Sequence, residues 1–223
     1  IVLAKKAGAN CVKFQLFDEN NLVNKKLKVY KHVSDKSLKY QYERFKKVKI
    51  TIDYLKTLSK IAKKNKIDFC ATPFDHNYVK KIKNYVNFFK VASGDINNYS
   101  LLKEISKKGK KVVISTGMSN LDEIKKALSF FSKNKVTLLH CISSYPTLKK
   151  NANLINIRFL KEKFKVPIGY SDHVPGIDTA AKSIFFGARV IEKHFMPKKT
   201  NLAGDYKLSV DFIKLKKLIN SIK

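Results

Sequence analysis

Acidic and histidine side chains occur together at two points where an apolar run of the sequence ends. GYSDH closes on Asp172 and His173, and VIEKHF contains Glu192 and His194. Burying such groups is costly unless they are paired or bind a metal ion. Imidazole and carboxylate ligands suit a hard or borderline divalent ion such as Mn²⁺. We therefore predict one metal ion shared by His173 and His194, although both strands could simply run out into solvent.

Lysine and hydroxyl side chains end the other apolar runs. Lys13 lies in VKFQ, Lys90 in FFKVASG and Ser115 in VVISTG. Because lysines, serine hydroxyls and backbone N–H groups suit a phosphate or carboxylate ligand, we predict an anion site. The simpler interpretations are a lysine paired with a carboxylate, and an ISTG segment that caps the next helix. We expect His140, in the apolar LLHC, to be a core histidine bonded to a backbone carbonyl.

Seven β-type runs contain or adjoin these residues, and most of the runs alternate with helical patterns. The runs cover residues 11–15, 69–74, 88–94, 112–117, 136–141, 167–172 and 190–195. Such alternation predicts a parallel sheet. The chain opens inside a helical pattern, so one more strand before Ile1 would make eight. We predict a TIM (β/α)8 barrel, N-terminally truncated, with strands 2–8 visible. A doubly wound sheet is the competitor, but no GxGxxG follows a strand.

The polar strand ends are expected to converge, because the active sites of TIM barrels lie at the C-terminal ends of the strands. Residues 16–50 interrupt the alternation of strands and helices and are rich in Lys and Tyr. We predict an extended loop on the catalytic face there. The whole of 1–223 is interpreted as one partial catalytic domain.

Composition narrows the class of protein. The formal net charge is +30, which invites nucleic-acid binding. However, arginines are few and the lysines spread along amphipathic segments, so we expect no nucleic-acid partner. No apolar run approaches the roughly 20 residues of a membrane span. The odd count of 3 cysteines predicts reduced thiols and a cytoplasmic protein. A serine hydrolase is disfavoured because no GxSxG segment exists.

The ordered set VKFQ, TPFD, KVASGDINN, ISTGM, LLHCISSYP, GYSDH and VIEKHF resembles the N-acetylneuraminate (sialic acid) synthase family. That family includes the legionaminic and pseudaminic acid synthases. The resemblance implies a barrel enzyme that condenses phosphoenolpyruvate (PEP) with an N-acetylated aldose, giving a nonulosonic acid and phosphate. It also implies a homodimer, in which a C-terminal antifreeze-like domain, absent from this sequence, supplies an arginine.

The resemblance also implies a role for each matching residue. The PEP-binding positions are Lys13, Thr72, Lys90, Ser93, Ser115, Ser143 and Ser171. The metal ligands are His173 and His194, with Mn²⁺ expected and Mg²⁺ or Co²⁺ as alternatives. The sugar-binding positions are Gln15, Asp95, Tyr145, Glu192 and Asp205. Among these, Asp95, Glu192, Lys13 and Lys90 are the expected catalytic residues, with Asp95 or Glu192 activating the water that adds to PEP.

Three positions depart from the family pattern. Asp95 stands where many members carry Glu, Ser143 replaces an Asn of some members, and Met196 follows HF where Thr is common. The sequence does not choose among N-acetylmannosamine, its phosphate and a diacetamido-dideoxyhexose as the acceptor. The alternative function is a truncated non-catalytic barrel that binds an anionic small molecule.

Overall fold

A sheet of 7 parallel strands organises the chain in the computed structural model, which describes residues 1–29, 38–198 and 205–223. The strands are β1 (Cys11–Leu16), β2 (Asp68–Pro73), β3 (Phe88–Val91), β4 (Val112–Ser115), β5 (Val136–Cys141), β6 (Ile168–Asp172) and β7 (Ile191–Lys193). Strands that follow one another in sequence are neighbours in the sheet, from β1 to β7. This sequential winding is that of a TIM-type barrel and confirms the predicted fold class.

Amphipathic helices connect the strands. They are α1 (Val2–Ala7), α2 (Glu19–Leu22), α3 (Gln41–Val48), α4 (Ile52–Lys64), α5 (His76–Ile82), α6 (Tyr99–Ser106), α7 (Leu121–Leu128), α8 (Ile155–Phe164), α9 (Asp178–Lys182) and α10 (Phe212–Ser221). In α4, Leu55, Leu58 and Ala62 recur at helical spacing and are buried. Within the described ranges, no helix has both the length and the apolar character that a membrane crossing requires.

Helix ends follow the signals in the sequence. The side chain of Asn120 accepts a hydrogen bond from the backbone N–H of Glu123, and Glu123 accepts one from the backbone N–H of Asn120, each at 2.9 Å. This reciprocal capping box starts α7 directly after β4. Gly109 follows α6 with a φ of 69°, a left-handed conformation that suits glycine. Both boundaries therefore lie at residue types that commonly begin or end a helix.

Residues 16–50 differ from the prediction of an extended loop, as far as they are described. The segment contains α2 and α3, and Lys28 forms an isolated antiparallel bridge with Tyr40. Glu43 accepts hydrogen bonds from the backbone N–H groups of Lys39 and Tyr40, which fixes the start of α3. Residues 30–37 of the predicted loop lie outside the described residues. The high Lys and Tyr content suggested a loop, although Glu43, which caps the short helix α3, is visible in the sequence.

The sheet curls so that its first and last strands come close together. No backbone pairing joins β1 to β7 in the part of the chain that the structure describes. Nevertheless, Lys13 of β1 forms an ion pair with Glu192 of β7. Outside the sheet, α1 packs against α10. The strands that carry the predicted site residues therefore surround one interior.

Candidate active site

Two lysines and one carboxylate form the centre of the site. Lys13 Nζ lies 3.0 Å from Glu192 Oε2, and Lys90 Nζ lies 3.9 Å from Glu192 Oε1. The three residues come from β1, β3 and β7. Lys90 is only 2% exposed, so its charge depends on these partners rather than on water. The structure thus brings together three of the four predicted catalytic residues.

Hydroxyl groups surround this ion-pair cluster. Lys90 Nζ donates to Ser115 Oγ at 2.7 Å, and Ser171 Oγ donates to Glu192 Oε1 at 2.8 Å. Thr72, in β2, is 1% exposed, and its hydroxyl has no hydrogen-bond partner among the residues that the structure describes. A buried hydroxyl without a partner is unfavourable unless a ligand or water satisfies it. The hydroxyls and lysines together are suited to hold an oxyanion.

Gly117 connects the second group of predicted anion-binding residues. Its backbone N–H donates to Ser93 Oγ at 3.0 Å. A Cβ at Gly117 would lie 2.7 Å from Ser143 Oγ and 3.0 Å from Ser93 Oγ. Both serines therefore approach the same point of the backbone after β4, where only glycine leaves room. Gly117 was missed by the sequence analysis, although the ISTG motif contained the signal.

Electrostatics keep the Glu192 carboxylate ionised. Burial alone would raise the pKa of Glu192, but Lys13 and Lys90 lower it well below its ordinary value. Burial also lowers the pKa of Lys90, which Glu192 only partly opposes. For Lys13, burial acts to lower the pKa, but Glu192, Cys70 and Cys141 together raise it above its ordinary value. Glu192 therefore acts as an internal anion between two lysines.

The two predicted metal ligands lie next to each other. The ring centroids of His173 and His194 are 5.6 Å apart. His173 Nδ1 lies 2.8 Å from the carbonyl oxygen of Ile142; since a carbonyl only accepts, Nδ1 carries the proton and Nε2 is free to bind a ligand. Burial lowers the pKa of His173 and lowers that of His194 to about 4, so both are neutral near pH 7.

This donor set fits a divalent ion with few protein ligands. Neutral imidazoles bind metals, and a backbone carbonyl on the other ring nitrogen commonly orients a ligating histidine. Among the described residues, no group of three or more His, Cys, Asp or Glu side chains is arranged to hold a metal ion. Two imidazoles would therefore leave most coordination positions to water or substrate.

Two of the predicted sugar-binding residues lie close to the histidine pair, and two others lie at or just after the ends of strands. The Tyr145 ring lies against His173, with centroids 4.1 Å apart. Asp205 Oδ2 lies 3.7 Å from His194 Nδ1. Gln15 is exposed at the end of β1, where it pairs in register with Thr72. Asp95 is half-buried in a 3-10 turn after β3, and burial raises its pKa.

Other polar residues at the strand ends have structural partners. His140 Nε2 lies 2.9 Å from the carbonyl oxygen of Ala152, which agrees with the core histidine predicted from the sequence. The Thr116 hydroxyl donates to the carbonyl of Leu139 at 3.1 Å. Asp75 caps α5. Lys193, by contrast, was not singled out by the sequence analysis, and it forms a buried ion pair with Asp172.

The comparison with known families assigns the chain. The model of the NeuB family matches residues 1–223. The chain belongs to the NeuB family. An uncharacterized protein from Methanocaldococcus jannaschii is 40% identical over 224 residues, which are 99% of this chain and 63% of the relative. The N,N'-diacetyllegionaminic acid synthase of Campylobacter jejuni is 38% identical over 231 residues, which are 100% of this chain and 69% of that enzyme.

A solved NeuB-type structure has the same fold. The N-acetylneuraminic acid (sialic acid) synthetase of Leptospira borgpetersenii, crystallised with citrate, matches with a TM-score of 0.89 and 33% identity. The match covers 99% of this chain and 74% of that one. Other NeuB relatives are named pseudaminic acid synthase and N-acetylneuraminate-9-phosphate synthase. The chain spans about two thirds of the length of the curated relatives it matches, with 63% for the first and 69% for the second.

Proposed function

We propose that this chain carries the active site of a nonulosonic acid synthase, which condenses PEP with an N-acetylated aldose and releases phosphate. The observation that carries the proposal is the convergence of Lys13 and Lys90 on one carboxylate, with Ser115 and Ser171 bonded to the same cluster. A set of cations and hydroxyls that already surrounds an anion is suited to a phosphate ester. Membership of the NeuB family supports this assignment.

The phosphate of PEP is proposed to bind among the lysines and hydroxyls. Lys90 and Ser115 offer a charged donor and a hydroxyl in a buried setting, and the unpartnered hydroxyl of Thr72 gains an acceptor. The Gly117 segment with Ser93 and Ser143 offers a second set of polar groups for the PEP carboxylate. Donors fixed before the reaction stabilise developing charge without reorganisation.

The sugar is proposed to bind beside the histidine pair, where Gln15, Asp95, Tyr145, Glu192 and Asp205 would contact it. A divalent metal ion held by His173 and His194, with Mn²⁺ expected first, would supply Lewis acidity at the aldehyde oxygen. His173 is oriented for this by the carbonyl of Ile142. The Tyr145 ring covers His173 from one side, and burial raises the pKa of its phenol, which stays protonated.

The bond changes balance without a further reactant. Carbon 3 of PEP forms a bond to the aldehyde carbon of the sugar, while the π electrons of the aldehyde move to its oxygen and cationic character develops at carbon 2. The former aldehyde oxygen takes up a proton and becomes a hydroxyl group. Water adds to carbon 2 and gives one proton to a carboxylate, for which Glu192 and Asp95 are the candidates. The bond from carbon 2 to the phosphate oxygen then breaks as the hydroxyl on carbon 2 becomes the keto oxygen, and the phosphate leaves toward the lysines with that proton.

A coupled assay tests the proposal. Phosphate release is measured with PEP and Mn²⁺ in the presence of N-acetylmannosamine, its phosphate or a diacetamido-dideoxyhexose. Release that requires one of the sugars, and that is abolished by Lys90→Met but not by the exposed Lys60→Met, is the expected result. PEP binding without sugar-dependent release would instead indicate the non-catalytic, anion-binding barrel. For the complete protein we propose a homodimer, and analytical ultracentrifugation tests this assembly.

A further inference from the structure

A buried ion pair lies directly behind the two histidines. Lys193 Nζ is 2.7 Å from Asp172 Oδ2, and the two side chains are 2% and 0% exposed. Asp172 ends β6 and Lys193 ends β7, and the two residues are in register. Side chains alternate between the faces of a strand, so this pair points away from the Ser171–Glu192 pair, which precedes it on both strands.

The ion pair holds the backbone on both sides of His173. Asp172 Oδ1 accepts a hydrogen bond from the backbone N–H of Val174 at 2.9 Å. Lys193 Nζ also donates to the carbonyl oxygen of Val174. His173 therefore lies between two residues that are both bound to Lys193. Because His194 is the residue after Lys193, one ammonium group connects the main chain at both histidines.

Stability alone does not explain such a pair. Removing two charges from water is costly, and apolar residues of similar volume commonly replace a buried ion pair without loss of stability. The pair instead constrains geometry. Lys193 binds Asp172 and the carbonyl of Val174, and Asp172 binds the N–H of Val174, so that together these contacts define one arrangement of β6 and β7.

We propose that Asp172 and Lys193 are positioning residues that fix the distance and mutual orientation of the His173 and His194 imidazoles. The proposal rests on the metal-binding role of the histidines in the proposed function. It assigns the pair no contact with substrate. Residues behind a metal site commonly change metal affinity by about ten- to a hundredfold when they are replaced.

Three variants separate positioning from general stability. Lys193→Met removes the ammonium and keeps an unbranched side chain. Asp172→Asn keeps an acceptor for the N–H of Val174 and removes the charge. The double variant leaves no unpaired charge and carries the test if a single variant does not fold. Lys49→Met is the matched control, because Lys49 pairs at 2.8 Å with the buried Glu19, a residue of α2 rather than of β6 or β7.

Two measurements are made on each folded variant. Titration with Mn²⁺ alone is expected to show at least about tenfold weaker binding for the Asp172 and Lys193 variants, and unchanged binding for Lys49→Met. In the metal-free protein, an NMR cross-relaxation signal between the two imidazole rings is expected in the wild type, given their 5.6 Å centroid separation, and is expected to weaken in the same variants.

The outcomes distinguish this proposal from the proposed function. Wild-type affinity for Mn²⁺ and an unchanged ring-to-ring signal in the double variant would overturn the positioning role. A wild-type chain that binds no Mn²⁺ would overturn the metal site of the proposed function. In that case the ring-to-ring signal decides alone whether Asp172 and Lys193 position the histidines.

Discussion

Lys13 Nζ lies 3.0 Å from Glu192 Oε2, although the two residues belong to the first and last strands of the sheet. The contact places the carboxylate where a phosphate or carboxylate ligand would meet the same lysine. Lys90, 3.9 Å from the other oxygen of Glu192, completes the arrangement. A ligand anion must therefore either displace the Glu192 carboxylate or bind beside it against its negative charge.

Replacing Glu192 by Gln should strengthen the binding of inorganic phosphate. The amide keeps the size of the side chain but no longer neutralises Lys13 and Lys90. We expect the affinity for phosphate to rise by about tenfold, which corresponds to about 1.4 kcal/mol. Sugar-dependent phosphate release should fall at the same time, because one of the two candidate proton acceptors is gone. Calorimetric titration of phosphate into both proteins measures the first effect, and weaker binding by the variant would contradict it.

Replacing Lys90 by Met should weaken PEP binding without unfolding the chain. Lys90 donates to Ser115 and is almost fully buried, so its loss removes a charge-assisted bond to the ligand. A bond of this kind contributes about 1.5–3 kcal/mol, so the affinity should fall by roughly ten- to a hundredfold. Glu192 retains Lys13 and Ser171, so no buried charge is left without a partner, and we expect the variant to remain folded.

The control for the Lys90 experiment is Lys60→Met. Lys60 is exposed on α4, and its replacement removes the same formal charge from the chain. Exposed charges are screened by salt, so PEP affinity should stay at the wild-type value. Equal losses of affinity in the two variants would mean that the overall positive charge, and not the site, attracts PEP.

Replacing Gly117 by Ala should disturb the group that contains Ser93 and Ser143. The added Cβ would lie 2.7 Å from Ser143 Oγ, so the serine or the backbone must move. We expect a loss of about 1–3 kcal/mol in the free energy of unfolding, together with weaker PEP binding. Gly94→Ala is the matched control, because a Cβ at Gly94 meets no described residue within 4 Å. Urea unfolding and PEP titration should leave the Gly94 variant close to wild type.

A pH dependence of stability is expected from Glu19. Lys49 Nζ lies 2.8 Å from Glu19 Oε2, and hydrogen bonds from Lys49 and then from the backbone lower the pKa of Glu19. A carboxyl group with a lowered folded-state pKa stabilises the fold above its unfolded pKa of about 4.3. That stabilisation is lost as the pH falls through the folded-state value. Glu19→Gln should therefore be less stable than wild type near neutral pH and equal to it in strong acid.

The comparison uses urea unfolding at several pH values. Asp53→Asn is the control, because Asp53 pairs with Lys56 at the surface with its side chain 89% exposed. Exposed pairs contribute little, so the Asp53 variant should track the wild type at every pH. A stability difference for Glu19→Gln that persists unchanged in acid would show that packing, and not charge, causes it.

Sequence patterns predicted the strands well because parallel strands are nearly continuous apolar runs. The ends of β3, β4 and β7 were the exceptions. The predicted runs continued to residues 94, 117 and 195, whereas the strands end at Val91, Ser115 and Lys193. After Val91 the chain turns into the 3-10 segment Ser93–Asp95, which aims polar groups at the site. A propensity argument does not reveal where pairing stops, because that depends on the neighbouring strand.

The sequence indicated which polar residues gather at the strand ends, but it did not indicate the contacts between them. Polar residues at strand ends identified Lys13, Lys90 and Glu192, yet nothing in the sequence indicated that the three form one ion-pair cluster. The carbonyl of Ile142, which orients His173, has no residue-type signal at all. Lys193 could have been identified from the sequence, because a lysine inside VIEKHF must be either paired or exposed. The motif was instead explained by the neighbouring Glu192 and His194, and Lys193 was not considered.

The contact between Lys13 and Glu192 also bears on how the chain folds. The groups that would hold an anion belong to strands from opposite ends of the described chain, so a partly folded sheet presents only fragments of the pocket. Contacts between residues so distant in sequence generally form late and slowly. An anionic ligand should then slow unfolding while leaving the rate of folding unchanged. A bound anion would therefore increase the kinetic stability of the folded chain without accelerating folding.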